Sequence, residues 1–247
     1  MCGRYVISSS PEAIRATFGY GERPNFPPRY NVAPTQPVPI VRMVEGKRSF
    51  ALMRWGFVPG WVKDPKTVSL MINARGESVN DKPAFRNAMR RRRCLVPADG
   101  FYDWRPGAPQ RPYFVRAKSG APLAFAGLWE TWTGPNGEEV DTAAILTTRA
   151  NRLLSAIHER MPVIVPPEAF ALWLDCANVE AATAAALIAP AAEALLECYE
   201  VSPEVNRVAN DSAELIAPAP ATPDRDAQPA AKAPAKAKKP DDQASLF

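Results

Sequence analysis

The 247-residue chain begins with Met1-Cys2-Gly3-Arg4-Tyr5-Val6-Ile7-Ser8, in which residues 3–8 have the composition of a short strand led by a cysteine. Removal of the initiator methionine, which is usual before a small residue, would leave Cys2 with a thiol and a free α-amine. The amine titrates near pH ~8, so part of it is nucleophilic at neutral pH. The thiol needs only a modest pKa depression, from a nearby cation, to become thiolate. Such an aminothiol attacks an aldehyde through nitrogen and then through sulfur, which closes a five-membered thiazolidine. The alternative is that the cysteine is an accident of a frayed terminus.

Composition is that of a globular protein. With 47% apolar residues the chain can build one large core, and the lack of any run of 18 apolar residues predicts no membrane span. No basic-then-apolar leader opens the sequence, so we expect a cytoplasmic protein. Four widely spaced cysteines and one histidine, His158, predict neither a disulfide nor a metal site, and no cofactor is expected.

The net charge of +4 is mild, but its distribution is uneven. Four consecutive arginines occupy positions 90–93, and further arginines stand beside the motifs described below. This distribution is compatible with a phosphate-binding groove, whereas a solvated cationic face is the commoner fate of an arginine run. The further arginines are Arg4, Arg75, Arg149, Arg152 and Arg160.

Short strand-like segments dominate, with helices interspersed but not alternating. This pattern predicts an α+β domain of mixed, mostly antiparallel strands in barrel-like sheets with flanking helices. Ser10, Pro11 and Gly19 mark the ends of a first helix, and Glu45-Gly46-Lys47 is a hairpin turn. Further strands are expected over residues 38–44, 50–55, 113–116, 123–129, 143–147 and 163–165, a strand–turn mixture over 94–104, and helices from residue 83, over 151–157, from 167 and over 179–196.

The composition changes at residue 217. Residues 2–216 constitute the predicted domain, whereas residues 217–247 are rich in Ala, Pro and Lys and contain almost no large apolar side chains. Such a segment cannot bury enough apolar surface to fold, so a disordered tail is expected.

Six sequence blocks stand out along the chain. In order they are Met1-Cys2-Gly3-Arg4-Tyr5, Tyr30-Asn31-Val32-Ala33-Pro34-Thr35, Trp55-Gly56-Phe57-Val58-Pro59, Asn73-Ala74-Arg75, Cys94-Leu95-Val96-Pro97-Ala98-Asp99-Gly100-Phe101-Tyr102 and His158-Glu159-Arg160-Met161-Pro162. In this order they resemble the signature of the SOS response-associated peptidase family, whose members sense abasic sites. Any one block is weak, but six in order are specific, and they cover residues 2–216.

The resemblance implies a monomeric thiol enzyme that crosslinks itself to abasic sites in single-stranded DNA and is nucleoid-associated when bound. Cys2 matches the family nucleophile, which consumes the aldehyde at C1′ of the ring-opened sugar. Asn73 matches the asparagine that positions the sugar and the cysteine. His158 matches the histidine that assists proton transfer, a role that suits imidazole at neutral pH. The DNA-binding residues implied are Arg4, Pro34, Trp61, Arg75, Trp104, Thr147 and Arg160, of which the arginines suit phosphate and the tryptophans suit base stacking.

One position departs from the family pattern. The family usually carries a glutamate where this chain has Asp103, and the carboxylate is implied to stabilise the cationic amine or iminium. The aspartate keeps the charge but is one methylene shorter. Unchanged kinetics of crosslinking or release therefore do not follow from the resemblance.

Two other function classes stay open. The α-amine of Cys2 could act as base for its own thiol, which would make the chain an N-terminal-nucleophile hydrolase of peptide or amide bonds. Removal of Met1 by the protein itself would also account for the word peptidase. The third class is a non-catalytic module that binds single-stranded DNA, for which the basic residues would suffice.

The tail ends in Gln243-Ala244-Ser245-Leu246-Phe247, which resembles the Q-x-x-L-F peptides that dock bacterial repair proteins on the replication sliding clamp. Leu246 and Phe247 could fill an apolar pocket while Gln243 hydrogen-bonds at its rim. The linker would then tether the domain near the clamp at high effective concentration.

Overall fold

The computed structural model describes residues 2–220 of the chain. Most of the predicted tail, including Gln243, Leu246 and Phe247, lies outside the described residues, so the tail, its motif and the domain boundary at residue 216 stay predictions. Within the described part, no helix is both long enough and apolar enough to cross a membrane.

Residues 2–220 form twelve strands and five α-helices, together with short 3₁₀ turns. The strands are β1 (Arg4–Ile7), β2 (Arg29–Val32), β3 (Pro37–Val44), β4 (Lys47–Trp55), β5 (Asn73–Arg75), β6 (Arg93–Ala98), β7 (Gly100–Arg105), β8 (Arg111–Ala117), β9 (Leu123–Thr133), β10 (Glu139–Arg149), β11 (Arg160–Pro162) and β12 (Leu196–Glu200). The helices are α1 (Pro11–Phe18), α2 (Arg86–Arg91), α3 (Arg152–Ser155), α4 (Phe170–Leu174) and α5 (Ala181–Ala185).

The strands form two sheets. The first is an open five-stranded sheet in the order β12-β8-β7-β1-β2, all neighbours being antiparallel. The second runs β10-β4-β3-β6-β9 and closes into a five-stranded barrel because β9 also pairs with β10. The short strands β5 and β11 extend it along β10. The α+β prediction with barrel-like, mostly antiparallel sheets is therefore confirmed.

Side-chain alternation assigns the two faces of the barrel strands to different cores. On β6, Cys94 and Val96 pack in the cluster that includes Tyr5 and Phe101 of the open sheet, whereas Leu95 packs in a second cluster with the helices. Because successive residues of a strand point to opposite faces, β6 is buried on both sides along its whole length. The first cluster thus joins the open sheet to the barrel, and the helices cover the other face.

The predicted local signals near the N-terminus are confirmed. The Ser10 side chain accepts from the amide of Ala13, Pro11 is the first residue of α1, and Gly19 ends the helix in the left-handed conformation at φ 71°. Glu45 and Gly46 have positive φ angles in the β3–β4 turn, as a tight hairpin turn requires. These turns fix the register of the elements that flank them.

Two predicted segments are wrong. The strand expected over residues 163–165 is β11, three residues earlier, because the ladder with β10 pairs Arg149 with Arg160 and Thr147 with Pro162. The alanine-rich helices expected over residues 179–196 are reduced to α5 and a 3₁₀ turn at Glu193–Leu195. Pro190 has no amide hydrogen to continue a helix, and Leu196 already pairs with Ala117 in the open sheet.

The arginine run does not lie on one face. Arg93 is 1% exposed, and its guanidinium donates to the carbonyl oxygens of Trp173 at 2.6 Å and Asp175 at 2.9 Å. Arg92 contacts Glu130 and lies over the ring of Trp129. Arg93 therefore lies neither in a phosphate groove nor on a solvated face, and its guanidinium binds backbone carbonyls at the end of α4.

Candidate active site

Cys2 lies at the junction of the two sheets. Its carbonyl oxygen accepts a hydrogen bond of 3.0 Å from the side-chain amide of Asn73 on β5, and the residue is 0% exposed. Strand β1, which follows, is an inner strand of the open sheet and pairs with β7 and β2 on either side. The resemblance had implied that Asn73 and Cys2 act together, and the structure brings them together.

A carboxylate fixes the far end of β1. Asp99 accepts from the backbone amides of Ser8 at 2.5 Å and Ser9 at 2.7 Å, and its own amide donates to the carbonyl oxygen of Val6 at 2.7 Å. Charge-assisted bonds of this kind are among the stronger hydrogen bonds in proteins. The position of Cys2 is therefore set from both ends of its strand.

Asp103 on β7 is the carboxylate whose charge acts on the Cys2 thiol. It is 5% exposed and, by strand alternation, shares the face of Phe101, which packs in the same cluster as Cys2. Its Oδ1 accepts from the amide of Trp104 at 3.0 Å. Burial raises the pKa of the Asp103 carboxyl, while the charges of the amino terminus and of His158 oppose that rise.

The Cys2 thiol is not activated in the expected way. Burial raises its pKa, and the Asp103 carboxylate raises it further, with the amino terminus opposing both. The amino terminus is the cation that lowers this pKa, but the loss of solvent outweighs its attraction, so the thiol does not reach the depressed pKa that a thiolate would need. The thiol and the carboxyl disfavour each other's ionisation, so a proton released by one is readily held by the other.

His158 stands in a network that fixes its proton. Its Nδ1 accepts from the backbone amide of Arg160 at 2.9 Å, so the neutral ring carries its hydrogen on Nε2 and offers it as a donor. The Arg160 guanidinium forms two bonds to Glu77, at 2.7 and 2.8 Å, and one to the Thr147 carbonyl oxygen at 2.7 Å. The hydrogen bonds from Arg160 lower the pKa of Glu77.

The arginines predicted to contact phosphate differ in availability. Arg160 is 9% exposed and held by the network above. Arg4 donates to the side-chain oxygen of Asn31 at 2.8 Å and to the carbonyl oxygen of Val205 at 2.9 Å. Arg75 is exposed, and no hydrogen bond or ion pair engages its guanidinium within the described residues. For Arg4 and Arg160 the phosphate role stays a prediction beside an observed structural one.

The remaining predicted DNA-binding residues also differ in how far they are exposed. Trp61 is 65% exposed in the loop after β4, as a stacking surface requires. Trp104 is half-buried, and its indole N–H donates to the side chain of Asn206 at 2.7 Å. Pro34 is half-buried in the turn before β3, and Thr147 is buried on β10.

Sequence reasoning missed two residues that organise this region. Glu77 pairs with Arg160, and Asn31, 1% exposed, joins Arg4 to the segment near residues 205–210 through bonds to three carbonyl oxygens. Asn31 was within a quoted block, yet nothing in its residue type or spacing distinguished it. Among residues 2–220, no group of three or more His, Cys, Asp or Glu side chains is placed to hold a metal ion.

The chain is similar to known proteins both in sequence and in fold. The chain is 38% identical over 221 residues to the abasic site processing protein YoqW of Bacillus subtilis, covering 87% of this chain and 99% of that protein. It is 32% identical to the abasic site processing protein HMCES of Rattus norvegicus, covering 89% of this chain and 76% of that one.

Solved structures share the fold. A crystal structure of a protein from Bacteroides thetaiotaomicron matches with a TM-score of 0.80 at 24% identity, covering 88% of this chain and all of that one. One from Bordetella bronchiseptica matches with a TM-score of 0.72 at 26% identity, covering 81% of this chain and all of that one. The family model described as SOS response associated peptidase matches residues 1–208. This chain therefore belongs to the SOS response associated peptidase family.

Proposed function

We propose that this protein processes abasic sites in single-stranded DNA by forming a covalent crosslink through Cys2, which shields the lesion. The observation that carries the proposal is the Cys2–Asn73 contact, with Asp103 electrostatically coupled to both the thiol and His158. The names of the relatives, abasic site processing proteins, support the choice of substrate. Removal of Met1, by the protein itself or by another enzyme, supplies the free α-amine.

The chemistry balances without a cofactor. The amine of Cys2 adds to C1′ of the ring-opened sugar and the C=O π bond breaks. The oxygen takes one proton from the attacking nitrogen and a second from the solvent and leaves as water, and the solvent recovers a proton from Asp103 at the end of the reaction. The resulting iminium is attacked by the sulfur of Cys2, a C–S bond forms, and the thiol proton passes to the Asp103 carboxylate. Aldehyde and aminothiol thus give a thiazolidine and one water.

Each neighbouring group has a task in this sequence. Asp103 stabilises the iminium charge and accepts the thiol proton, which compensates for the raised pKa of the thiol. Asn73 holds the backbone of Cys2 so that nitrogen and sulfur face one carbon. His158 offers Nε2–H to the sugar oxygen during ring opening.

The shorter carboxylate at position 103 is compatible with this role. Its electrostatic effects on the Cys2 thiol and with His158 support a carboxylate charge within reach of the reacting groups. We therefore propose that Asp103 here does the work of the glutamate usual in the family.

A denaturing gel tests the proposal. The protein, shown by mass spectrometry to begin at Cys2, is incubated with abasic single-stranded DNA, with intact DNA of the same sequence, and with peptide and amide substrates. A DNA-dependent adduct on the abasic strand alone is expected. Hydrolysis of peptides without an adduct would favour a thiol hydrolase, and binding to both DNAs without an adduct would favour a non-catalytic binding module.

We propose that Arg75 contacts phosphate, and its exposed guanidinium, which has no hydrogen bond or ion pair within the described residues, supports this. Arg75→Ala is expected to flatten the dependence of log Kd on log salt by about one unit, because one phosphate contact is lost. The measurement is a salt titration with abasic single-stranded DNA and protein blocked at Cys2. Arg23→Ala, at an exposed arginine in the loop after α1, is the control, and an unchanged slope for Arg75→Ala would contradict the assignment. Arg4→Ala and Arg160→Ala in the same titration test their phosphate role.

We also propose that residues 243–247 dock the protein on the sliding clamp. A labelled peptide covering residues 241–247 is expected to show saturable anisotropy with purified clamp, because Leu246 and Phe247 supply the apolar anchors. The matched control replaces both anchors by alanine. Absence of saturation, or binding that survives the double replacement, would contradict the proposal.

A further inference from the structure

The hydroxyl of Tyr5 is an unpartnered polar group in the core. The side chain is 0% exposed, and its oxygen has no hydrogen-bond partner among the described residues. The hydroxyls of Tyr102 and Tyr199, by contrast, donate to the carbonyl oxygens of Tyr30 at 2.8 Å and Ile216 at 2.9 Å. Buried polar groups are nearly always paired, because an unpaired one destabilises the fold. The Tyr5 hydroxyl therefore requires an explanation outside the packing of the chain.

A series of contacts links Tyr5 to Cys2. Its ring packs edge-to-face on Trp55, with 5.4 Å between centroids. The Trp55 indole N–H donates to the carbonyl oxygen of Ile72 at 2.9 Å, and the next residue, Asn73, binds the carbonyl oxygen of Cys2. A short chain of contacts thus connects the Tyr5 ring to the reacting residue, and Tyr5 and Cys2 share one core cluster.

A second unpaired polar atom belongs to Asn73, at the other end of this series of contacts. The side-chain oxygen of Asn73 is buried without a partner, although its nitrogen is bonded to Cys2. Burial raises the pKa of the Tyr5 hydroxyl, with Arg29 opposing and Cys2 adding to that rise, so the hydroxyl keeps its hydrogen. The Tyr5 hydroxyl is a donor and the Asn73 side-chain oxygen is an acceptor, both among apolar core side chains. Such a pair suits a neutral ligand that carries both carbonyl and hydroxyl oxygens. A ring-opened sugar is such a ligand.

We propose that Tyr5 is a further catalytic residue, whose hydroxyl donates a hydrogen bond to the C1′ oxygen of the abasic sugar; this rests on the proposed function above. As the amine of Cys2 adds to C1′, the π electrons move to that oxygen, and a donor aimed at developing charge lowers the barrier. The same bond assists departure of the oxygen as water. Tyr5 supplies no net proton and ends the reaction unchanged.

The test is Tyr5→Phe, which removes the hydroxyl and keeps the ring against Trp55. Single-turnover crosslinking to abasic single-stranded DNA is expected to slow about 10²-fold at saturating DNA, as for loss of one oxyanion donor, with an unchanged half-saturating concentration. The melting temperature is expected to stay the same or rise, because an unpaired buried hydroxyl has been removed. Tyr199→Phe is the matched control, which should melt lower and crosslink at the wild-type rate.

The outcomes separate this inference from the proposed function. If the wild-type protein forms no adduct, the proposed function fails. If the wild type forms the adduct and Tyr5→Phe forms it equally fast, the function stands and the role of Tyr5 is overturned. A melting temperature several degrees lower for Tyr5→Phe, or a change only in the half-saturating concentration, would overturn it too.

Discussion

Cys2→Ala is expected to abolish the covalent adduct with abasic single-stranded DNA. The thiazolidine needs the sulfur as its second bond to C1′, and alanine leaves at most an iminium that hydrolyses under denaturing conditions. A variant that retains one extra residue before Cys2 should fail equally, since its nitrogen is then an amide. Denaturing gels of both variants, beside wild type, measure the loss.

Cys94→Ala provides a matched control for packing. Cys94 is also 0% exposed and lies in the same core cluster as Cys2, so removing its sulfur costs similar stability, about 1 kcal/mol. Its adduct yield should nevertheless equal that of wild type. Adduct formation by a protein shown by mass spectrometry to retain Met1 would refute the aminothiol mechanism.

Asp103→Asn is expected to slow crosslinking by about 10² to 10³-fold, because the iminium loses its counter-charge and the thiol loses its proton acceptor. Asp103→Glu should retain more activity than Asp103→Asn, since charge matters more than length. In wild type the rate should fall as pH drops through the raised pKa of Asp103, starting above the usual aspartate range. Rate–pH profiles of the three proteins measure this, and the asparagine variant should lack that limb.

The same substitution, Asp103→Asn, should slow crosslinking but raise the stability of the fold. Because its folded pKa is raised, the folded state binds the proton more tightly than the unfolded state, and stability is lost as pH rises from the unfolded to the folded pKa. Asparagine removes that loss, so Asp103→Asn should melt higher than wild type at neutral pH. Glu130→Gln is the control, since burial also raises the pKa of Glu130 but its effect on crosslinking should be negligible. Equal crosslinking rates for Asp103→Asn and Asp103→Glu would refute the electrostatic role of Asp103.

Much of the fold follows from local signals. The cap at Ser10, the stop at Gly19 and the Glu45-Gly46 turn depend on a few neighbouring residues, so the sequence predicts them correctly. The prediction that helices fill residues 179–196 fails at its end because the pairing of Leu196 with Ala117 is decided by a distant strand. Alanine content favours a helix, but tertiary pairing overrides propensity.

Some features of the candidate site could likewise be predicted from the sequence, and others could not. The residue types at Cys2, Asn73 and His158 could be recognised from the resemblance. The partners of Arg4 and Arg93, in contrast, are mostly carbonyl oxygens brought near by the fold, and carbonyls carry no sequence signature. For the same reason the raised pKa of the Cys2 thiol, which depends on burial, could not be read from the residues around it.

The bond from Arg4 to the carbonyl of Val205 spans 201 positions of sequence. A chain still being synthesised therefore carries Cys2 long before this bond can form, since elongation at about 5–20 residues per second takes about 10–40 s to reach Val205. During this interval the N-terminal strand lacks its last contacts, and enzymes that trim the nascent N-terminus have access to a residue that the finished fold encloses. The Arg4–Val205 bond is thus one of the last contacts of this strand to form, and a ribosomal product that stops short of Val205 would carry Cys2 on a strand that lacks this bond.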